Sequence, residues 1–548
     1  MDFDSKMLDM FNQLINRGWK LDNHYVRNSV FILTFKKDKY VLHIWDTTNY
    51  TKFPLKEIGK IVDLDKLDID FNQTTDKALE IYCMRDTEIL YKYIKKLVTF
   101  LEKYELSQLK ATAGSLSFSI FRNKFYKQKT KPIFIHNWKQ AIRLERESYK
   151  GGITDCFQIG KYENLYKLDI NSMYPSVMKD IEVPVKLEAY LNQTLSQDKL
   201  FKIFDIIQKE NYGYIISGNF TIPKEKAYIL ANFGLGKSSF AYGSYDLVLC
   251  EPEVRFLLEN EGKLNEIYEM NVYTKKNVFQ EFVSFFYELK KEFKKKGNKV
   301  DEGFCKLILN TQYGKWGQRK VENEVLDKKH QFLIQNQEII LDMIESKQQQ
   351  IQNNSIIYLG SFESTEIYII DNQLHISIQT QKNSKNSFVA IASYITSHSR
   401  MLLIDFLLKA KRENVYYTDT DSLFVNQKGF KNLKKLGCIN EYRLGKLKIE
   451  DSGTGVFYAP KFYDFNDSRK CKGIKKNSEL IQETKDYVKY KTERWTHFKT
   501  QLKENRYNVQ KIYEQIKVMN KVYDKGKIDL NGVVTPFSDY EIQDLQNK

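Results

Sequence analysis

At 548 residues, with 42% hydrophobic and 14% aromatic content, the chain is long enough for several domains with real cores, which excludes disorder as a whole. A formal charge of +16 favours a polyanionic partner, because each Lys or Arg laid against a phosphate releases condensed counterions, although many Lys-heavy proteins have no such role. Six cysteines lie far apart with no CxxC, no apolar run is long enough for a bilayer, and MDFDSKMLDM is no signal peptide; a soluble intracellular monomer without structural zinc is expected, in cytoplasm or mitochondrion.

Residues 1–106 read as mixed α/β. Met7, Leu8, Met10, Phe11, Leu14 and Ile15 recur at helical spacing, alternating stretches at 30–35 and 40–44 suggest paired strands, and an amphipathic helix follows at 76–104. The stretch 165–170 predicts a short strand closed by Asp169, after which SMYPS opens a helix with Pro175 tolerated in its first turn. Two helices are expected within 278–316, interrupted near Gly297. Residues 318–387 are polar and Gln/Asn-rich, with short strand-like pieces, and read as an insertion instead of a separate domain. A strong helix is expected at 388–411, then the hairpin VYYTDTDSLFV; beyond Lys475 the tail reads as helical and Lys-rich.

Three segments carry chemistry. In YTDTDS, apolar β-prone flanks predict two strands meeting at a turn that bears Asp419 and Asp421. Two carboxylates crowded at one turn repel each other unless a cation lies between them, and Mg²⁺ is the natural candidate. A solvated Asp-rich turn is the bland alternative, and the apolar flanks weigh against it. In YKLDINSMYPSVM, Asp169 ends a strand where a third carboxylate could join. The amides of Asn171, Ser172 and Met173 follow at a helix N-terminus suited to phosphate, with Tyr174 beside them. In KLILNTQYGKWG, Lys306, Asn310 and Tyr313 share one narrow helix face with Lys299, while Phe304, Leu307 and Ile308 point away. Gly314 suggests a helix end or a close backbone approach.

In this order the segments resemble motifs A, B and C of family B DNA polymerases. Reverse transcriptases, with adjacent paired Asp, fit the spaced DTD and NxxYG strings poorly. The resemblance implies an α/β (α+β) right-hand fold of palm, fingers and thumb. It implies that Asp169 and Asp421 hold two Mg²⁺ ions, with Mn²⁺ as a substitute and Asp419 in support. Tyr174 would exclude a 2′-hydroxyl, Lys306 would contact the incoming triphosphate, and Asn310 and Tyr313 would line the nascent pair. APKFYDF is similar to the family's KxY primer-end motif through Lys461 and Tyr463, with Lys472 following. SYKGG, with Tyr149, Gly151 and Gly152, looks like its template-contacting YxGG loop.

The layout resembles the protein-primed branch of phages and linear plasmids, as does the helix string AIASYITSHSR. It implies a partial exonuclease-like domain at 1–106, a linker with the YxGG-type loop at 107–160 and palm at 161–185. An insertion like terminal-protein region 1 follows at 186–276, fingers at 277–317 and a second insertion at 318–387. Palm resumes at 388–465, with thumb at 466–548. The partners implied are template-primer DNA, dNTPs and a terminal protein that supplies the priming hydroxyl. At the front, Tyr82 and Asp86 form a YxxxD string like the third motif of a ribonuclease H-like 3′–5′ exonuclease, and Asp4 resembles the second motif's carboxylate. No DxE string precedes Asp4, so proofreading by this chain is expected to be absent or crippled.

Overall fold

Val415–Asp419 and Ser422–Val425 pair antiparallel, as the apolar flanks of the DTD string require. The coordinates are a computed structural model. They describe residues 10–547 apart from 12, 28–29, 52, 70–74, 131, 233–237, 326–330, 349–355, 363–364, 371–372, 476–477 and 496–511.

The hairpin belongs to a seven-stranded antiparallel sheet. Its order is Ser468–Cys471, Phe462–Phe465, Leu447–Ala459, Gly160–Ile170, Ser422–Val425, Val415–Asp419 and Thr154–Cys156. Leu423, Phe424 and Val425 are all buried because both faces are covered. On one side lies the helix Val389–Ala410, which contributes Met401, Leu403 and Ile404 to the core with Leu168 and Leu423. On the other side Phe424 meets Tyr417, Phe457 and Tyr463. The strand ending in Asp169 is longer than its sequence predicts, running Gly160–Ile170.

A second sheet is built mainly from residues 183–276. Its strands run in the order Phe537–Ser538, Ser239–Cys250, Gly213–Ile222, Lys263–Lys276 and Val183–Asn192. Helices Gln280–Lys295 and Lys299–Trp316 form the expected pair, broken where Gly297 takes φ 68° and Asn298 caps the second helix. Phe100, on the helix Asp76–Lys103, packs against Phe293 and Phe304 of that pair, with ring centroids 6.2 and 5.6 Å away. Three antiparallel strands, Lys20–Arg27, Val30–Lys37 and Tyr40–Trp45, form the N-terminal sheet. Met7 and Leu8 of the expected first helix lie outside the described residues.

One expectation gains detail and another needs correction. Residues 319–383 form a four-stranded sheet with a small core of their own, in which Ile340, Ile357, Ile367 and Ile376 meet. The polar composition hid it because its isoleucines are divided among one helix and three strands, which gives no long apolar run. Among the described residues the tail is mainly strand: Glu479–Glu483, Tyr487–Trp495 and Ile512–Asn520 form an antiparallel sheet, and helix returns only at Asp539–Asn547. Buried Val488, Tyr490 and Thr492 alternate with Lys489 and Lys491, a period of two that the abundance of lysine masks. Among the described residues, no helix is long and apolar enough to cross a membrane.

Candidate active site

The sheet brings the three aspartates together. Asp169 stands opposite Ser422 on one neighbouring strand and Lys448 on the other, and Asp419 stands opposite Ser422 and Thr154. The turn between Asp419 and Asp421 is tight. The Asp421 amide donates to the Asp419 carbonyl at 2.7 Å, Thr420 takes φ 61°, and the Thr420 amide donates to the Ile153 carbonyl at 2.7 Å. Ser172 (φ 48°) and Lys461 (φ 65°) are also non-glycine residues in the left-handed region, where strain persists only if the surroundings enforce it.

The three carboxylates differ in their partners. Lys448 Nζ lies 3.0 Å from Asp169 Oδ2, and Lys461 Nζ pairs with Asp419 Oδ1. That same Asp419 oxygen accepts from Thr154 Oγ1 at 3.1 Å and Thr420 Oγ1 at 3.2 Å. Asp421 makes no ion pair with a Lys or Arg among the described residues. Burial pushes its carboxyl up to about 6, with repulsion from Asp169, Asp419 and Glu450 adding to the shift. Burial raises Asp169 as well, against the pull of Lys448.

Among the described residues, no group of three or more His, Cys, Asp or Glu makes an ion cage of its own. The set suits a hard cation that completes its shell with water and phosphate oxygens, since it places uncompensated negative charge at Asp421 beside Asp169.

Beside the carboxylates, Tyr174 and Tyr313 stack with centroids 4.4 Å apart. Lys306 and Asn310 are exposed, as their helix face requires, and Lys306 Nζ sits 2.8 Å from Glu302 Oε1. Lys299 is exposed in the first turn, about 10 Å along the axis from Lys306 by helix rise. Sequence reasoning missed Lys290. Its Nζ is 3.0 Å from Ser172 Oγ, and burial first, then Lys306, lowers its ammonium to about 8. The signal was present: Lys290 falls one turn after buried Phe286.

The expected role of Asn171 changes. The Asn171 amide donates to the Lys446 carbonyl, and its side chain donates to the carbonyls of Asn440 and Glu441, so Asn171 braces the 440–446 loop instead of offering a phosphate donor. Met173 buries its side chain in the core, and its amide opens the helix Met173–Asp180. Gly314 lies inside a helix that continues to Trp316, with open space where a Cβ would stand. The close approach is at Gly317, where a Cβ would meet the Tyr149 ring at 2.5 Å.

The YKGG loop packs against the acidic turn. A Cβ on Gly152 would lie 2.8 Å from Thr420 Cγ2, whereas Gly151 faces open space. Arg400, 2% exposed, donates to the carbonyls of Lys150 and Gly151 at 2.7 and 3.0 Å and pairs with Glu253 at 2.6 Å. Sequence reasoning missed it too, although an arginine inside a helix of small and apolar residues was the available signal. Lys461 is held by its amide on Tyr417 Oη at 2.9 Å, and its carbonyl accepts from the Lys472 amide at 3.0 Å. Tyr463 is buried against Tyr417 and Phe424. Far from this centre, Lys66 pairs with Asp86 at 3.3 Å and bonds the Tyr82 hydroxyl; Asp4 lies outside the described residues.

Sheet, helix pair and carboxylates together define the palm and fingers of a right-hand polymerase fold. A family described as DNA polymerase type B, organellar and viral, matches residues 33–405. The chain belongs to that family, whose members generally work with divalent metal ions. It is 25% identical over 388 residues to a "Probable DNA polymerase" of Neurospora intermedia, covering 69% of this chain and 36% of that one. It is 30% identical over 193 residues to the DNA polymerase of Acidianus bottle-shaped virus, covering 34% of this chain and 29% of the relative. The chain therefore spans about a third of the length of these two relatives. In fold it is similar to phi29 DNA polymerase complexed with primer-template DNA, with TM-score 0.66, 16% identity, and coverage of 94% of this chain and 90% of that one.

Proposed function

We propose that the chain adds deoxynucleotides to a 3′-hydroxyl under the direction of a DNA template. The observation that carries this reading is the meeting of Asp169, Asp419 and Asp421 on adjoining strands, beside the Ser172–Lys290 contact and the stacked Tyr174–Tyr313 pair. Asp169 and Asp421 would hold two Mg²⁺ ions, for which Mn²⁺ could substitute. Bound there, the ions would supply the Lewis acidity that eases proton loss from the 3′-hydroxyl and stabilises the departing pyrophosphate.

The chain's own groups do the rest. Lys290 and Lys306 draw the triphosphate toward the N-terminus of the helix Met173–Asp180. Tyr174 and Tyr313 give a flat floor for sugar and base. Lys461 is placed to hold the primer end while neutralising Asp419. The 3′-oxygen then forms its bond to the α-phosphorus as the bond to the bridging oxygen breaks, and the hydroxyl proton passes to solvent.

Protein priming is the finer proposal. It is supported by the sheet inserted at 183–276 and by the second sheet at 319–383, in the places where the protein-primed branch carries its insertions. An inactive DNA-binding remnant is not favoured, because carboxylates, cations and tyrosines are all present. Primer extension by the purified chain with Mg²⁺ and dNTPs tests the reading; DNA binding without extension would overturn it. For priming, labelled dNMP should transfer to a terminal protein only when that protein is supplied.

A further inference from the structure

The strand Thr154–Cys156 is three residues long and ends the seven-stranded sheet, so its ladder to Val415–Asp419 is short. Yet Thr154 gives its hydroxyl to Asp419, and the preceding Ile153 carbonyl receives the Thr420 amide. The acidic turn thus leans on a strand that the sheet alone holds weakly.

The segment after the last strand of the thumb sheet supplies the missing support. Lys525, 6% exposed, donates from Nζ to the Thr154 carbonyl at 2.6 Å. Tyr523 donates its hydroxyl to Asp155 Oδ1 at 2.8 Å, the same oxygen that accepts the Cys156 amide. Further on, the Ile159 amide donates to the Gly532 carbonyl and the Val534 amide to the Phe157 carbonyl, at 2.7 and 3.0 Å. Arg412 bonds the carbonyls of both Phe157 and Val534. The chain then adds Phe537–Ser538 as a parallel edge to the 239–250 strand. Burying a lysine and a carboxylate side by side is costly, and a surface strap would not need either.

We propose that Tyr523 and Lys525 are positioning residues for nucleotidyl transfer: they clamp the Thr154–Cys156 strand so that Thr154 fixes the orientation of Asp419 and, through it, Lys461. This inference rests on the polymerase reading above. It assigns to the C-terminal strap a role in the chemistry in addition to its role in joining palm and inserted sheet.

The test compares single-turnover incorporation by the full chain with that of Lys525→Met, Thr154→Val, Thr154→Ser and the double variant Lys525→Met/Thr154→Val. Each of the first two should slow the maximal rate by about 10-fold to 100-fold, the range for a displaced catalytic group, while the dNTP KM and DNA affinity stay within about twofold. Thr154→Ser should retain the rate, and the double variant should be no slower than Thr154→Val alone, because Lys525 acts through Thr154. Losses that multiply, or a wild-type rate in Lys525→Met, would overturn the proposal. Hydrogen exchange gives an answer independent of activity. In Lys525→Met, and more mildly in Tyr523→Phe, deuterium uptake should rise at 153–156 and 418–420 but not in 389–410. Unchanged uptake, or a rise everywhere, counts against the clamp. Absence of extension by the wild-type chain would refute the polymerase reading and leave the exchange result to decide the strap.

Discussion

The Tyr174 and Tyr313 rings stack 17° from parallel, tying the helix that follows Asp169 to the helix that carries Lys306. If Tyr174 floors the sugar, shrinking it should admit a 2′-hydroxyl. Tyr174→Val is expected to raise ribonucleotide incorporation, relative to deoxynucleotide, by about 10-fold or more, the scale of a single steric contact. Competitive incorporation of rNTP and dNTP measures the ratio; an unchanged ratio would remove Tyr174 from sugar selection.

Asp421 should be indispensable to the chemistry and dispensable to DNA binding. Asp421→Asn keeps size and removes charge, so incorporation should fall by roughly 1,000-fold or more, as expected when a metal-binding carboxylate is lost. Gel-shift affinity for primer-template should change little. A variant that still extends at near wild-type rate would show that the charge is not needed.

Lys290 should make nucleotide capture sensitive to alkaline pH. Its ammonium, lowered to about 8 by burial and Lys306, is charged below that pH and neutral above it. Because kcat/KM reports groups in the free enzyme, kcat/KM for dNTP should decline as pH rises through about 8. Lys290→Arg, which cannot lose its charge in this range, should abolish the decline. A profile identical in wild type and Lys290→Arg would assign the effect elsewhere.

Gly152→Ala should disturb the acidic turn from outside it. The new methyl would stand 2.8 Å from Thr420 Cγ2 and 3.2 Å from Thr420 Cα, so Thr420 must move between the two aspartates. A cost of about 1–3 kcal/mol in stability is expected for overpacking. Thr420→Gly, which removes the obstructing side chain at a left-handed position, should restore part of it. Denaturant midpoints of the two single variants and the double variant settle the point.

Asp155 sets a pH dependence of stability. Burial raises its carboxyl well above the ordinary carboxylate range, to about 6, with Lys525 and Tyr523 pulling the other way. The folded state therefore holds this proton more tightly than the unfolded state, and the linked stability falls as pH rises from about 4 to about 6, then stays level. The difference is on the order of 3 kcal/mol. Asp155→Asn keeps an acceptor for Tyr523 and removes the titration, so its stability should be flatter between pH 4 and 6 than that of the wild type.

Much of the site was legible because its chemistry is local. The turn with Asp419 and Asp421 is announced by its own flanks, and the face with Lys306, Asn310 and Tyr313 by helical period. Lys290 and Arg400 were not legible in the same way. Each is a single cation among many, and only the packing of Gln280–Lys295 on the 173–180 helix, or of Val389–Ala410 on the YKGG loop, gives it a partner. The tail was misread because lysine abundance hid a two-residue alternation that becomes decisive once three strands pair.

The sequence by itself determined that Asp419 and Asp421 share one turn and that Lys306, Asn310 and Tyr313 share one helix face, whereas the joining of Asp169 and of that helix to the turn was implied only by the family resemblance. The reason is physical: side chains a turn or a hairpin apart have their relative placement set by backbone period alone. Tertiary structure alone decided what each carboxylate meets, with Lys448 on Asp169, Lys461 and Thr154 on Asp419, and no Lys or Arg ion pair at Asp421 among the described residues. Those contacts join residues tens to hundreds of positions apart. Only the order of strands in the sheet, and a C-terminal strap returning to its edge, bring them within hydrogen-bond reach.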